Sequence, residues 1–565
     1  MSYFRKNLAT TISFILIFSK TLLADTSLGN VVVTPDKNSA ALDKTPSIVQ
    51  VITKQDIEKQ SATNVVDVLR NISGLDVVSL GSPGDDNDIH LRGADRDQVL
   101  LMIDSVPINA VRDHRLLFLG NIPVSQIERI EIVEGSQSVL YGSDAIGGVI
   151  NIITKKGSQK FTPFVGFEGG NLALFKEQAG FSGSAGKSLW NFSGTRHDQR
   201  GRFERDRYGE TSVGGNFSYQ LTPQLKSEVG ANYFHSNQEL FYEFLATFDA
   251  PTSSYVIRMD PDTNRYLNRD FLQAHNTWSA TPFTWWASSI QYGFLGDWER
   301  SGNSPTGDTV PAEFTAGTQD FHGHGYRHQI DFKNSFEWTP LTWGSPSTTI
   351  GFEFQDERLG FTDVSSSFPA AGQDGDRQNY APYFLQNFSL LNNRLILSGG
   401  FRQDHNTTFG NEWSPRASIL YKTKTTDTIF RATYSEGFHG PTILDYFSQV
   451  LLQLTGDPSF QPVRLQSELS RSYEAGVEQK FGSTKISGTF FYIDYDRLLD
   501  ELQFIQNAYT TGFQVSAIAQ PHSLIRLGSD YTFMESINED SHTRMANRPQ
   551  DRLHLLQSSI LHAAH

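Results

Sequence analysis

The chain has 565 residues, no cysteine, 22 prolines and 46 glycines, with 12 % aromatic residues and a formal net charge of −15. The lack of cysteine excludes a disulfide scaffold, thiolate-bound zinc and thiol catalysis. The acidic charge is spread along the chain and no basic stripe is present to meet phosphates, which argues against nucleic acid as a partner.

Residues 1–24 read as an export signal. Arg5 and Lys6 form a basic start, Leu8 to Phe18 an apolar core, and Leu22-Leu23-Ala24 a cleavage site before Asp25. The apolar stretch is too short to span a bilayer as a helix, and Lys20 interrupts its end. No long apolar run follows, so any membrane crossing is made with strands. Residues 25–46 hold the β-branched run Gly29-Asn-Val-Val-Val-Thr-Pro35 and then a polar, turn-rich linker to Pro46. An exposed segment of that kind suits strand addition to a partner's sheet edge.

A mixed α/β domain is expected over 47–156, about the size of one small core. Ser47 to Ile52 is a strand, and Thr53 caps a helix whose third residue is Asp56, a capping-box variant. Val65, Val68, Leu69 and Ile72 recur at helical spacing, with Gly74 as the stop. Val99–Ile103 is a continuous apolar run and so a buried strand. Asp104 to Pro107 is a turn, and Ile127–Val133 and Val149–Ile153 are further strands.

Over 157–565 helical periodicity gives way to alternation. Ile330, Phe332, Phe336 and Trp338 fall on one face of 329–338, with Asn334 the single polar intruder. The same pattern recurs in Val229-Ala231-Tyr233, Ile350-Phe352-Phe354, Ala417-Ile419-Tyr421, Phe430-Ala432-Tyr434, Tyr473-Ala475-Val477 and Ile525-Leu527-Tyr531-Phe533. The apolar face is rich in aromatics and the other often carries charge, as a transmembrane barrel requires and a soluble sandwich does not. Closure matters because lipid offers an open edge no hydrogen bonds. Gly302 to Gly325, Thr362 to Asp376 and Phe248 to Asn268 read as external loops.

The segment from Ile127 to Lys156, with Gly135, Gly142, Gly147 and Gly148, resembles the plug signature of the TonB-dependent outer-membrane receptors; Leu91-Arg92-Gly93 and Ile103-Asp104 support it at the family's spacing. Glu134 and Ser136 depart from the family's usual Arg and Pro, which bears on one plug–barrel ion pair. The resemblance implies an α/β plug ahead of a transmembrane antiparallel β-barrel of ~22 strands, of which about eighteen alternating segments are visible. The chain ends on His565 without the terminal aromatic that serves the barrel assembly machinery. Ala546 to Arg552 also resembles a segment that usually precedes further strands. About four strands are therefore expected to be missing.

Within that resemblance Val31, Val32, Val33 and Thr34 match the TonB box, which pairs with TonB of the inner-membrane energising complex. The box follows the cleavage site closely, leaving no room for the extra domain of the signalling subgroup and implying transport without transcriptional control. Family ligands meet apical plug loops, here Gly84, Asp85, Asp86, Asn87 and Asp88, and Asn109 with Arg112, Asp113 and His114. The short plug and compact loops resemble cobalamin receptors most, with ferric-siderophore or haem uptake as the alternative. His322, His324 and His328 cluster before a strand where they could touch iron or haem, or are ordinary loop histidines; Phe438-His-Gly-Pro441 and Asp457-Pro-Ser-Phe460 resemble degraded family motifs. Asp260-Pro-Asp-Thr-Asn264 has calcium-like carboxylate spacing without an EF-hand's Gly and Glu, so an acidic turn is favoured over calcium in an external loop. No cofactor is required. A passive pore or adhesin has no use for an energy-coupling box, and no nucleophile elbow or His-Glu-x-x-His marks an enzyme.

Overall fold

The computed structural model describes residues 32–33, 37, 40–60, 62, 64–79, 87–114, 119–201, 206–249, 254–303, 320–365, 368–446, 465–500, 503–522, 525–545 and 548–559. The export signal, Val31, Thr34, Gly84, Asp85, Asp86 and the 457–460 motif lie outside these residues.

The first domain is built from β1 (Val49–Thr53), α1 (Lys54–Gln60), α2 (Val65–Leu69), β2 (Leu75–Ser79), β3 (Asn87–Leu91), β4 (Val99–Ile103), β5 (Val106–Pro107), β6 (Ile127–Glu134), α3 (Ser138–Tyr141) and β7 (Gly148–Thr154). Its main sheet has the order β1-β6-β7-β4-β5. The β4–β7 pair is parallel, while β1–β6 and β6–β7 are antiparallel. Every residue of β4 is buried, as its unbroken apolar run requires of a strand covered on both faces. Val65, Val68 and Leu69 of α2 pack with Leu101, Ile130 and Ile150 of the sheet in one core.

The predicted capping box at Thr53 forms: its Oγ1 accepts from the Asp56 N–H at 3.3 Å, and Asp56 accepts from the Thr53 N–H at 3.2 Å. The second helix is shorter than its periodicity suggests. Asn64 caps it through the Asp67 N–H at 3.0 Å, and it ends at Leu69 instead of running on to Gly74. Asn71 and Ile72 donate to Val68 and Leu69 in tight turns, and Gly74 takes φ +74° so that the chain can reverse into β2. Ile72 is still buried, so the apolar spacing marks a core face that outlasts the helix.

The rest of the chain is a single antiparallel sheet of 19 segments in sequence order, from Thr162–Gly169 to Asp551–Ser559. Thr543–Arg544 and Asp551–Ser559 both pair with Ile525–Asn538, so they form one interrupted strand and the sheet has eighteen rungs (19 − 1). Among the described residues no ladder joins the first strand to the last. No described helix is long and apolar enough to cross a membrane.

The alternation resolves as expected. Ile330, Phe332 and Trp338 are 41 %, 44 % and 49 % exposed on the outer face, whereas Arg327 and Gln329 are buried inside. The intruder Asn334 accepts a hydrogen bond from Trp286 Nε1 at 2.9 Å, which satisfies its amide on an apolar face. Trp286, Phe336 and Trp338 stack nearby with Trp285 and Phe283, an aromatic girdle at the tight-turn end of the sheet.

Two expectations are corrected. Of the inserts expected as external loops, the described residues of Phe248 to Asn268 and Thr362 to Asp376 are strand, and residues 304–319 of the third lie outside the described residues. Leu225–Asp249 pairs with Ser254–Phe283, Gly344–Ser365 with Phe368–Leu390, and Asp320 already begins the strand opposite Trp286–Asn303. Alternation marks only part of a hairpin, and its backbone ladder continues beyond it. The Asp260 to Asn264 turn accordingly lies within Ser254–Phe283. Second, His322, His324 and His328 lie not in a loop but on the strand Asp320–Glu337, on the outward face of Ile330 and Phe332. His328 packs on Phe294 at 5.2 Å and bonds to Tyr292 Oη at 2.8 Å.

Candidate functional site at the plug–barrel junction

The α/β domain sits inside the barrel and is held there by polar contacts to the inner wall. Arg92, in the turn after β3, is 1 % exposed. Its guanidinium bonds to Glu134 of β6 and Glu474 of the barrel, donates to Gln514 Oε1 at 2.9 Å and lies 4.7 Å from the Phe491 ring. The departure at Glu134 thus keeps a plug–barrel ion pair: with no arginine at 134, Arg92 bridges one plug and one barrel carboxylate. Gly135 is required beside them. It has φ +73°, and a Cβ there would lie 2.0 Å from Glu474 Oε1.

At the tight-turn end Asp104 accepts from the Thr154 N–H at 3.1 Å, and Lys156 bridges Asp104 and Glu228 at 2.9 and 2.7 Å. Burial would lower the Lys156 pKa, but the two carboxylates outweigh it and raise it. Of the predicted box, Val32 and Val33 pair with Ala41 and Ala40 in a short hairpin. Beside its bend Lys37 reaches Asp331 and Glu353 of the barrel wall at 3.0 and 3.2 Å and lies over the Tyr383 ring. Glu353 also pairs with Arg402 at 2.8 Å, whose Nη1 donates to the Leu140 carbonyl at 3.3 Å. The N-terminal segment is thereby joined to α3 through the barrel wall.

The predicted plug-loop residues divide. Asn109 is fully buried and saturated: its Oδ1 accepts from the Leu101 N–H, and its Nδ2 donates to the Val99 and His114 carbonyls. It shapes the loop from within. Arg112 pairs with Asp113 at 3.1 Å and with Glu299 of the barrel at 3.2 Å, against the Phe321 ring. Asp88 pairs with Arg96 at 3.0 Å, and Asn87 begins β3.

His114 meets two groups not singled out as site residues. Its Nδ1 stands 3.0 Å from Asp144 Oδ1, and His439, at the end of Ile429–His439, stands 2.9 Å from the same oxygen. The imidazole rings meet edge to face at 5.4 Å. Arg377 donates to His114 Nε2 at 2.7 Å and to the Pro441 carbonyl at 2.8 Å, and pairs with Glu357, which also holds Arg327. Burial alone would raise the Asp144 pKa, but the two histidines hold it well below the carboxylate range. Asp144, Glu357, Arg377, Arg327 and Phe438 line a small cavity on the side away from the tight turns. In the sequence His439 stands out only as part of a degraded motif. The usable signal is parity, since Arg327 and Arg377 sit at inward positions of strands whose other face is apolar.

A strand-built wall, aromatic on its outer face and filled by an α/β domain, defines a plugged membrane barrel and not an open pore. Residues 41–149 match the TonB-dependent receptor plug domain, and residues 199–558 the TonB-dependent receptor-like β-barrel. The chain belongs to the TonB-dependent receptors. It is 26 % identical over 485 residues to the vitamin B12 transporter BtuB of Vibrio vulnificus, covering 83 % of this chain and 70 % of the relative. With the same transporter of Photobacterium profundum it is 24 % identical over 496 residues, 87 % of this chain and 74 % of the relative. In fold it resembles the ferripyoverdine receptor of Pseudomonas aeruginosa, with a TM-score of 0.77 at 15 % identity over 97 % of this chain and 78 % of that one. The ferric enterobactin receptor PfeA of the same species gives 0.72 at 17 % identity, over 95 % and 86 %.

Proposed function

We propose that the protein is an outer-membrane importer, driven by TonB, for a ligand too large for passive pores, and that the ligand is a cobalamin-like corrinoid. The observation that carries this reading is the plug held in the lumen by buried ion pairs, with a β-branched segment joined to it at the N-terminus. A filled lumen passes nothing without work, and an extended segment is the element a partner's sheet edge can take hold of. Val31 to Thr34 would supply that contact, and the girdle residues would face outer-membrane lipid. The ligand would enter from the side of Arg112 and His114, where Asn87 and Asp88 end the other plug loop. Likeness to two vitamin B12 transporters supports the corrinoid. A ferric siderophore is the second reading, supported by the guanidinium groups of Arg327 and Arg377 on the same cavity, which suit an anionic chelate.

The test is uptake and binding together. Cells carrying the protein should accumulate labelled cobalamin only when TonB is present. Val33→Pro, which removes a donor from the pairing strand, should abolish uptake and leave binding intact. Uptake unchanged without TonB would refute active import. Binding of a ferric siderophore but not cobalamin would select the second ligand.

A further inference from the structure

Import accounts for the plug and its lumen, yet leaves unexplained why two histidines and one carboxylate from three separate parts of the chain converge where little solvent reaches. His114 comes from the plug loop after β5, Asp144 from the turn after α3, and His439 from a barrel strand. All three are buried, at 1 %, 5 % and 4 % exposure. Their ligating atoms lie within 4.8 Å of one another. His114 Nδ1 is buried and lies 3.0 Å from Asp144 Oδ1 without the alignment of a hydrogen bond. Because Nε2 accepts from Arg377, the His114 proton sits on Nδ1, and an ion entering between the carboxylate and the second imidazole would displace that proton and take the nitrogen's lone pair.

We propose that His114, Asp144 and His439 bind one divalent transition-metal ion, of the zinc type, across the plug–barrel junction. Two imidazoles and a carboxylate are a donor set for zinc and its first-row neighbours, and imidazole argues against calcium or magnesium. Bonds of 2.0–2.2 Å set ligand atoms roughly 3.4 Å apart around a tetrahedral ion; the two nitrogen–oxygen separations are 2.9 and 3.0 Å and all three ligand atoms lie within 4.8 Å, so loading would spread the two histidines slightly from Asp144. The outer groups fit on one side. With His439 Nδ1 on the metal, its Nε2–H faces Asp97, whose Oδ2 is 3.8 Å away, the carboxylate partner that metal-bound histidines use. On the other side His114 Nε2 now accepts from Arg377. Metal on Nδ1 turns Nε2 into a donor, so that ring must turn from the guanidinium, and Arg377 opposes loading. The ion would exchange the Arg377–His114 contact for a bond that ties plug to barrel.

The experiment is titration of the purified, chelator-stripped full chain in detergent with Zn²⁺ alone, followed by calorimetry, and with Co²⁺, followed by visible absorption. One tight site per chain is expected. His114→Gln, Asp144→Asn and His439→Gln should each weaken it by about 10-fold or more, and Arg377→Gln should tighten it. His322→Gln/His324→Gln, on the outer face, should leave it unchanged. The proposal is overturned if His114→Gln/His439→Gln binds Zn²⁺ as the parent does, or if Arg377→Gln weakens binding. Should the site variants not fold, the parent's Co²⁺ spectrum decides: intense tetrahedral bands support the site, and an octahedral aquo-like spectrum overturns it. No transport and no organic ligand enters this assay, so its failure and a failure of the import reading are separate results.

Discussion

Replacing Arg92 by Met tests the most heavily committed contact between plug and barrel. The guanidinium is fully buried, bonded to Glu134, Glu474 and Gln514, and stacked over Phe491. Methionine keeps much of the stem's volume while removing the charge, so the main loss is electrostatic. Removing one partner of a buried ion pair costs about 3–5 kcal/mol, because a charge is left uncompensated, and here two carboxylates face each other afterwards. The lost cation–π contact adds up to ~2 kcal/mol at a desolvated site. Urea unfolding of the detergent-purified protein, read by far-ultraviolet circular dichroism and by protease cleavage of the plug, should show a lower midpoint and a plug cut before the barrel unfolds. Arg92→Met/Glu134→Gln/Glu474→Gln should recover most of the loss, since a neutral, hydrogen-bonded cluster no longer carries unpaired charge. A single variant with the parent's midpoint, or a triple variant less stable than the single, would refute this account.

Gly135→Ala should destabilise the protein by about 1–3 kcal/mol in the same unfolding assay, because the methyl group meets Glu474 at a positive φ. Ile330→Arg places a cation on the outer face and should cost up to ~2–4 kcal/mol of barrel stability in lipid; equal folding yields in vesicles would show that the residue does not face lipid. Lys156 has a raised pKa in the folded protein, so its contribution is complete below the ordinary lysine value of about 10.4 and is lost as pH rises through the folded value. The thermal midpoint should therefore fall in that alkaline range, and Lys156→Met should have a lower midpoint near neutrality and a shallower alkaline decline.

The sequence is legible where local physics decides the outcome. The capping box at Thr53 depends on residues three apart, and the β4 run depends on burial on both faces, so both can be read directly. Barrel strands are legible where lipid imposes an apolar face, as at Ile330 and Phe332. They are not legible where hairpins such as Leu225–Asp249 extend into water, because solvent puts no constraint on alternation. The junction is the least legible part. Asn109 is expected from sequence to meet ligand, but its amide bonds to three backbone groups that only the folded loop brings together. His114, Asp144 and His439 belong to separate elements, and nothing in their local sequence records that they converge.

The N-terminal hairpin has a mechanical consequence. Tension applied ahead of Val32 first loads the two facing pairs Val32–Ala41 and Val33–Ala40, which open one at a time like a zip. Next in chain order comes Lys37, whose ammonium pairs with Asp331 and Glu353 and whose carbonyl accepts from Lys333 of the wall. The load then passes the Leu42 and Thr45 carbonyls, which accept from Arg431 of the wall, and reaches β1, an edge strand with a single neighbour in the sheet, while the parallel β4–β7 pair lies further in. The fasteners are thus loaded in chain order, so a pull can peel the plug from its rim while the centre of its sheet and the surrounding wall stay folded.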